Sequence, residues 1–404
     1  MKIAIIGAGA AGCFAAIEIK RRRPEAVVTV YESGRKALAK VAVTGGGRCN
    51  LTNSFGGVRS IEAVYPRGAR LMKRLLREFS HEDAYQWFER EGIRLTTQED
   101  NCVFPVSQDA MEIVDKLLWL MRRHGVGLKT GHRVERITHD DVYTLQFSNG
   151  ESVEADKVVV TTGGSPKLSG LKMLEGLGLD IVEPVPSLFS LCLTNNPITD
   201  MTGTVVEDVH TSIVGTKMKA EGPLLITHWG LSGPAILKLS SYGARLLHDC
   251  NYKTKIAVNW FGSANENEVM ELLYEMSIRH PQKQVQSLYP DRFNSRLWLH
   301  LLACAGIRPD MRWAEMGRKS FNRMAAMLTN HIFDISGKNK FKDEFVTCGG
   351  VALSNINPST LESRQHPGLY FAGEVLDVDA ITGGFNLQAA WTTAYVVAKS
   401  ISAS

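Results

Sequence analysis

The chain opens with an unbroken apolar run, Ile3-Ala4-Ile5-Ile6, that stops at Gly7-Ala8-Gly9-Ala10-Ala11-Gly12. Apolar residues without polar alternation are the pattern of a strand buried on both faces, as in a parallel sheet. Residues 13–20 read as a helix and residues 27–31 as a second strand, ending at Glu32. Farther on, residues 62–90 read as helical, with Leu71, Leu75, Leu76, Phe79 and Trp87 on apolar faces, and residues 110–123 as another helix. Short strands are expected over 129–137, 142–147 and 152–153, before a buried strand that runs into Thr162-Gly163-Gly164.

Pro184 and Pro186 suggest a boundary, beyond which residues 188–194, 204–213 and 218–225 have the alternation of strands. Thr227-His228-Trp229-Gly230-Leu231-Ser232-Gly233-Pro234 then breaks into a helix over 235–241. Residues 264–330 are mainly helical with breaks at Pro281 and Pro309, and 331–345 can return to a β-rich unit. Residues 369–372 read as a last parallel strand, stopped by Gly373-Glu374. Gly383-Gly384-Phe385-Asn386 opens a helix over 387–399.

The order strand, glycines, helix, strand, acid has a physical logic. The first glycines permit a tight turn whose backbone can reach a pyrophosphate, Gly12 permits close helix packing, and the helix start supplies unpaired N–H groups and the positive end of its dipole. Glu32 follows Gly12 by 20 residues, where a carboxylate can accept from adenosine ribose hydroxyls. A dinucleotide site is expected here, and the acid disfavours a 2′-phosphate. Thr44-Gly45-Gly46-Gly47-Arg48-Cys49-Asn50 cannot be a stable helix, while Arg48 and Asn50 can fix an anion or a heterocycle edge.

Composition narrows the class. The 404 residues are 44% hydrophobic and 22% charged, which is globular and long enough for two or three folding units. The seven cysteines are far apart and include no CxxC pair, so neither a disulfide framework nor a metal site is expected, and the expected compartment is reducing and cytoplasmic. The N-terminal apolar run superficially resembles a signal peptide, but the glycines within it have the better explanation above. Residues 380–397 lack charge yet contain Gly383, Gly384, Asn386 and Gln388, so no membrane crossing is expected. Net charge is +4, although residues 1–77 carry 15 Lys and Arg against 4 Asp and Glu. That segment could attract an anionic partner. Without aromatic interleaving or a matching basic pattern in the insertion, nucleic acid is not the expected partner.

TGGGRCNLTN after GAGAAG, with THWGLSGPAIL at 227–237, VTCGGVALSNINPSTLES at 346–363 and GLYFAGEVLDVDAITGGFNLQAAW at 368–391, closely resembles the BaiN-like or YhiN-like family of NAD(P)/FAD-dependent oxidoreductases. Some of its members carry the label aminoacetone oxidase. The resemblance implies an α/β fold: a glutathione-reductase-type FAD-binding Rossmann domain interrupted by a β-rich domain that carries a helical insertion. The corresponding boundaries are 1–185 and 346–404 for the FAD-binding domain, 186–260 and 331–345 for the β-rich domain, and 261–330 for the helices. In contact with FAD the resemblance implies Gly7, Gly9, Ala10, Ala11, Gly12, Glu32, Ser33, Gly45, Gly46, Gly47, Arg48, Cys49 and Asn50. It adds Thr162, Gly163, Gly164, Gly373, Glu374, Gly383, Gly384, Phe385, Asn386 and Leu387. Family members commonly carry a longer serine- and glycine-rich loop after the paired glycines, whereas this chain has Ser165-Pro166-Lys167-Leu168-Ser169-Gly170 and enters Leu171 directly.

The expected function is an FAD-dependent reductase, fed by NADH or NADPH, that passes hydride through flavin N5 to a small conjugated organic substrate. No second complete dinucleotide unit is present, so the nicotinamide is expected to dock transiently over FAD. No motif identifies a proton-transfer residue, and the pattern leaves the oligomeric state open. Three other readings stand beside it: an amine oxidase of the aminoacetone type, a flavin-bearing RNA-modifying or redox-sensing protein, and a nonenzymatic FAD module.

Overall fold

Apolar strands and capped helices account for the first part of the chain, which a computed structural model describes for residues 1–165, 167–339 and 346–403. Pro166 of the shortened loop, residues 340–345 of the expected β-rich return and Ser404 lie outside the described residues. β1 (Lys2–Ile6), α1 (Ala10–Arg22) and β2 (Val27–Glu32) follow one another as expected, and α2 (Ala39–Gly47) comes next. Next are β3 (Thr52–Asn53), α3 (Ile61–Val64), α4 (Ala69–Leu75), α5 (His81–Arg90), β4 (Leu95–Thr97), β5 (Cys102–Pro105) and α6 (Ala110–Arg123). β6 (Gly127–Thr130), β7 (Val134–His139), β8 (Tyr143–Phe147), β9 (Ser152–Ala155), β10 (Lys157–Val160) and β11 (Ile181–Ser187) complete this stretch.

Two expectations are corrected here. Residues 62–90 form three helices, because Pro66-Arg67-Gly68 ends the first and the Ser80–Asp83 capping box starts the third. Residues 129–137 are two strands in different sheets: Gly131, at φ +70°, ends β6, and β7 begins a separate meander with β8 and β9. The proposed boundary prolines, Pro184 and Pro186, sit inside β11.

The second stretch is β12 (Leu191–Leu193), β13 (Val205–Ile213), β14 (Lys219–Thr227), β15 (Gly230–Ser232), α7 (Pro234–Tyr242), α8 (Ala244–Asp249) and β16 (Thr254–Asn259). α9 (Glu266–Arg279), α10 (Ser295–Cys304), α11 (Arg318–Thr329) and β17 (His331–Lys338) follow. The six strands close into a barrel in the order β12-β15-β14-β13-β16-β17, with apolar residues such as Val206, Leu224, Ile226 and Val258 inside its core cluster. Charge within the helical part is unevenly placed, with four Glu in α9 and an excess of Lys and Arg after it. Residues 279–323 hold nine Lys and Arg against three Asp and Glu.

β18 (Val346–Val351), β19 (Leu369–Phe371) and α12 (Phe385–Ala403) close the chain, α12 starting two residues earlier than expected. The parallel sheet has the order β19-β10-β1-β2-β6, with Ile5 between Val30 of β2 and Val159 of β10. This is the expected α/β Rossmann arrangement: a parallel sheet interrupted by a β-rich barrel with helical insertions. Contacts group the chain into two compact units, Met1–Pro186 with Val346–Ser404, and Ser187–Phe345. Among the described residues, no helix is long and apolar enough to cross a membrane.

Candidate functional site

The turn after β1 is fixed by close approaches that only glycine allows. Gly7 sits at φ +104°, and a Cβ there would lie 2.5 Å from the Thr161 carbonyl oxygen. A Cβ on Gly12 would lie 2.0 Å from the Gly7 oxygen. Thr161 Oγ1 donates to the Ile6 and Gly7 carbonyls at 3.0 and 2.9 Å, tying β10 to the turn. Gly9 differs: it has an ordinary φ of −87°, and nothing lies within 4 Å of where its Cβ would be. Its missing side chain therefore leaves open space in front of the N-terminus of α1, the place where a pyrophosphate would meet unpaired N–H groups. Glu32 closes the same turn, its Oε2 accepting from the Ala8 amide at 2.9 Å and its Oε1 from the Gly34 amide at 2.7 Å. Ser33 Oγ lies 3.3 Å from the same Oε1.

The triple glycine breaks α2 as its composition requires. Thr44, Gly45 and Gly46 are non-helical, and no atom lies within 4 Å of a Cβ built on Gly46 or Gly47. Arg48 places its guanidinium over the Phe104 ring, 4.4 Å from the centroid, and its Nη1 lies 3.4 Å from Gln108 Oε1. Cys49 is fully buried, and burial pushes its thiol up to about 12. That keeps it protonated and unreactive, consistent with a packing role.

The strand after this turn is stitched to the C-terminal helix. Asn50 donates to the Thr52 carbonyl at 3.1 Å and accepts from the Gly384 amide at 3.2 Å. Thr52 Oγ1 donates to Gln388 at 2.6 Å, Asn53 to the Gly383 carbonyl at 3.0 Å, and Trp391 Nε1 to the Leu51 carbonyl at 2.9 Å. Asn386 folds its amide back on Ala380, accepting from its N–H at 2.9 Å and donating to its carbonyl at 3.0 Å. These bonds hold the Gly383-Gly384-Phe385 turn at the head of α12. Glu374 packs beside the paired glycines: a Cβ on Gly164 would lie 2.5 Å from its Oε1, which also accepts from the Thr347 amide at 2.8 Å. Lys40 stands 3.7 Å from its other oxygen.

Local sequence reasoning missed the residues that brace this turn, Tyr65, Arg67 and Asp379. Asp379 is fully buried and ion-paired with Arg67. Two aspartates, Asp377 and Asp379, in the mostly apolar stretch 375–385 were the available signal. Part of the positive charge of residues 1–77 is paired on α1, where Arg21 pairs with Glu18 and Glu91 and Arg22 with Glu18. His228 is exposed in the turn between β14 and β15, its ring edge-on to Trp229 at 4.3 Å.

A glycine turn, open helix N-terminus and acid-ended second strand suit a dinucleotide, and the match to known proteins decides the family. The family model for the HI0933-like protein Rossmann domain matches residues 1–400. The chain belongs to that family. This HI0933-like chain is 28% identical over 407 residues to a 3-dehydro-bile acid delta(4,6)-reductase of Clostridium scindens, covering 99% of this chain and 98% of the relative. It is 29% identical over 423 residues to a ribosomal RNA dihydrouridine synthase of Escherichia coli, again covering 99% and 98%. The Haemophilus influenzae protein of that name is 30% identical, with 98% of each chain covered. Among solved structures, a 3-ketosteroid delta1-dehydrogenase of Sterolibacterium denitrificans superposes with a TM-score of 0.51 at 10% identity, covering 99% of each chain. At that identity the likeness shows the fold alone.

Proposed function

We propose that this HI0933-like protein is an FAD-dependent reductase of the BaiN-like and YhiN-like kind, fed by NADH or NADPH, that saturates a carbon–carbon double bond conjugated to a carbonyl. The observation that carries the cofactor half of this reading is the open cradle at Gly9, between the α1 N-terminus and the backbone-held carboxylate of Glu32. The amides of Gly9, Ala10 and Ala11 would hold the pyrophosphate, and Glu32 would accept from the adenosine ribose. Gly46, Gly47 and Arg48 would line the ring system, and Glu374 would accept from a ribityl hydroxyl. The Gly383-Gly384-Phe385 turn and the start of α12 would present N–H donors to the pyrimidine edge, stabilising negative charge there. FAD, when bound, supplies two-electron chemistry through N5 of its ring.

The reaction class rests on chemistry that two kinds of relative share by name. A delta(4,6)-reductase removes ring double bonds from a bile acid, and dihydrouridine is uridine with its 5,6 double bond saturated. Both acceptors are double bonds in conjugation with a carbonyl, which take hydride at the far carbon and a proton at the near one. The thiols support this class over disulfide chemistry: the sequence contains no CxxC pair, and burial pushes Cys102 up to about 11, as it does Cys49 to about 12. The test is an anaerobic titration of FAD-loaded protein with NADH and with NADPH, followed by a conjugated enone. Bleaching of the visible flavin band by a nicotinamide and its return on enone addition are expected. An oxidised spectrum that resists both donors but bleaches with aminoacetone would replace this reading with an amine oxidase.

A second reading, in which the double bond belongs to a uracil within RNA, is favoured by the basic stretch 279–323. Lys283, Arg296, Arg318, Lys319 and Arg323 are exposed, and none forms an ion pair among the described residues. Such a surface attracts phosphates. RNA retention that falls steeply with salt, and weakens when Lys319 and Arg323 are made Glu, would raise this reading. Retention indifferent to both would remove it.

A further inference from the structure

Residues 64–68 run beside the loop that leads into α12, and the two segments touch at four successive points. The Ile381 amide donates to the Val64 carbonyl at 2.9 Å. Tyr65 Oη donates to the Phe385 carbonyl at 2.9 Å, from a fully buried ring. Arg67 and Asp379 form an antiparallel bridge through their backbones, and the Arg67 guanidinium uses Nε and Nη2 to hold both Asp379 oxygens. Gly68, at φ +75°, lies so close to Val378 that a Cβ would stand 2.5 Å from its Cγ2.

Taken alone, each contact is packing. Together they run antiparallel along the loop from Val378 to Phe385, whose far end is the glycine turn at the head of α12. On its other side the turn is held by Asn53 and Asn50. The loop itself has little regular structure between the short turn Gly373–Val375 and α12. Its shape therefore depends on what braces it. A two-pronged guanidinium–carboxylate contact fixes orientation as well as distance, which a single hydrophobic contact does not.

We propose that residues 64–68 are a strap that sets the geometry of the cofactor-facing turn, with Arg67 and Asp379 as its positioning pair. This rests on the flavin reading above. Neither residue is assigned a contact with FAD: the pair acts through the backbone of residues 380–385. Burial disfavours the Arg67 charge, but the bond to Asp379 and its negative charge outweigh that and raise the guanidinium's pKa, so Arg67 stays charged across the working pH range.

The test uses the full-length protein in four forms: wild type, Arg67→Met, Asp379→Asn and the double variant Arg67→Met/Asp379→Leu. Three readouts are taken, namely FAD affinity by fluorescence titration, the midpoint potential of bound flavin, and thermal unfolding of the FAD-free protein. Each single variant is expected to bind FAD about tenfold more weakly or worse, the scale of a lost charge-assisted hydrogen bond. The double variant removes both charges, so the FAD-free protein should recover most of its thermal midpoint. It should still bind FAD weakly and with a shifted potential, because an apolar pair does not restore the fork geometry. Recovery of affinity and potential together with stability would show that the pair is only structural and overturn the proposal. So would wild-type affinity in all variants. If the wild type itself takes up no FAD, the flavin reading falls and the strap loses this role with it.

Discussion

The Glu32 carboxylate accepts the Ala8 amide at 2.9 Å. An acid at the end of the second strand thereby closes the glycine turn, a structural duty beside its proposed bond to the adenosine ribose. Glu32→Ala is expected to weaken FAD retention by about tenfold or more, since a charged acceptor is lost from the turn and from the ligand. The spectrum of flavin that remains bound should be unchanged, because in the proposed site the ring would lie away from Glu32. Fluorescence titration checks the first point and absorbance the second. Equal FAD affinity in variant and wild type would remove Glu32 from the site.

Cys49 lies inside the Gly-rich turn, yet it is fully buried and its thiol is pushed up to about 12. Native protein should leave this thiol unlabelled by an alkylating reagent at neutral pH, and Cys49→Ser should keep normal flavin reduction by nicotinamide. Loss of reduction at full FAD occupancy would make the thiol a redox participant instead.

His331 gives the barrel-containing unit a pH dependence of known sign. Burial, aided by the charge of His300, pushes its imidazole from 6.5 down to about 4. Its Nδ1 accepts from Trp260 Nε1 at 3.2 Å, which suits the neutral ring. The unfolded chain takes up a proton near 6.5 while the folded chain does not until about 4. The neutral ring's contribution is therefore complete above that window and is lost as the pH falls through it, by up to about 3 kcal/mol. Urea unfolding measured from neutral pH to about pH 4.5 should show this loss, and His331→Gln should flatten it. Identical profiles would assign the acid sensitivity to other groups.

What could be read from the chain beforehand follows from how local each cause is. The β1–α1–β2 frame was legible because the reasons for Gly7, Gly12 and Glu32 lie within one turn of chain or one paired strand. The break of α2 at Thr44 to Gly46 was legible for the same reason. Residues 62–90 misled because the apolar spacing continues across Pro66, Gly68 and the Ser80–Asp83 capping box, so the periodicity masks the local breaks that divide the stretch into three helices. Residues 129–137 misled because alternation shows a strand without showing its partner. The Arg67–Asp379 pair joins positions 312 residues apart, and no pattern within either segment predicts the other. The basic surface of residues 279–323 was readable by counting, but its exposure required the apolar faces of α10 and α11 to be known.

Gly9 and Gly12 separate the cofactor's needs from the fold's. Gly9→Ala meets an ordinary φ and open space, so the FAD-free protein should unfold at the wild-type temperature. Gly12→Ala drives a Cβ to 2.0 Å from the Gly7 oxygen and should destabilise the FAD-free fold. The deciding measurement is FAD affinity of Gly9→Ala beside that of the wild type, each paired with the thermal midpoint of the FAD-free protein. The account predicts an unchanged midpoint with FAD binding weakened about tenfold or more, as a methyl group fills the space reserved for the pyrophosphate. Full FAD affinity in a normally folded Gly9→Ala protein would contradict it, for the open cradle would then not be where the dinucleotide sits.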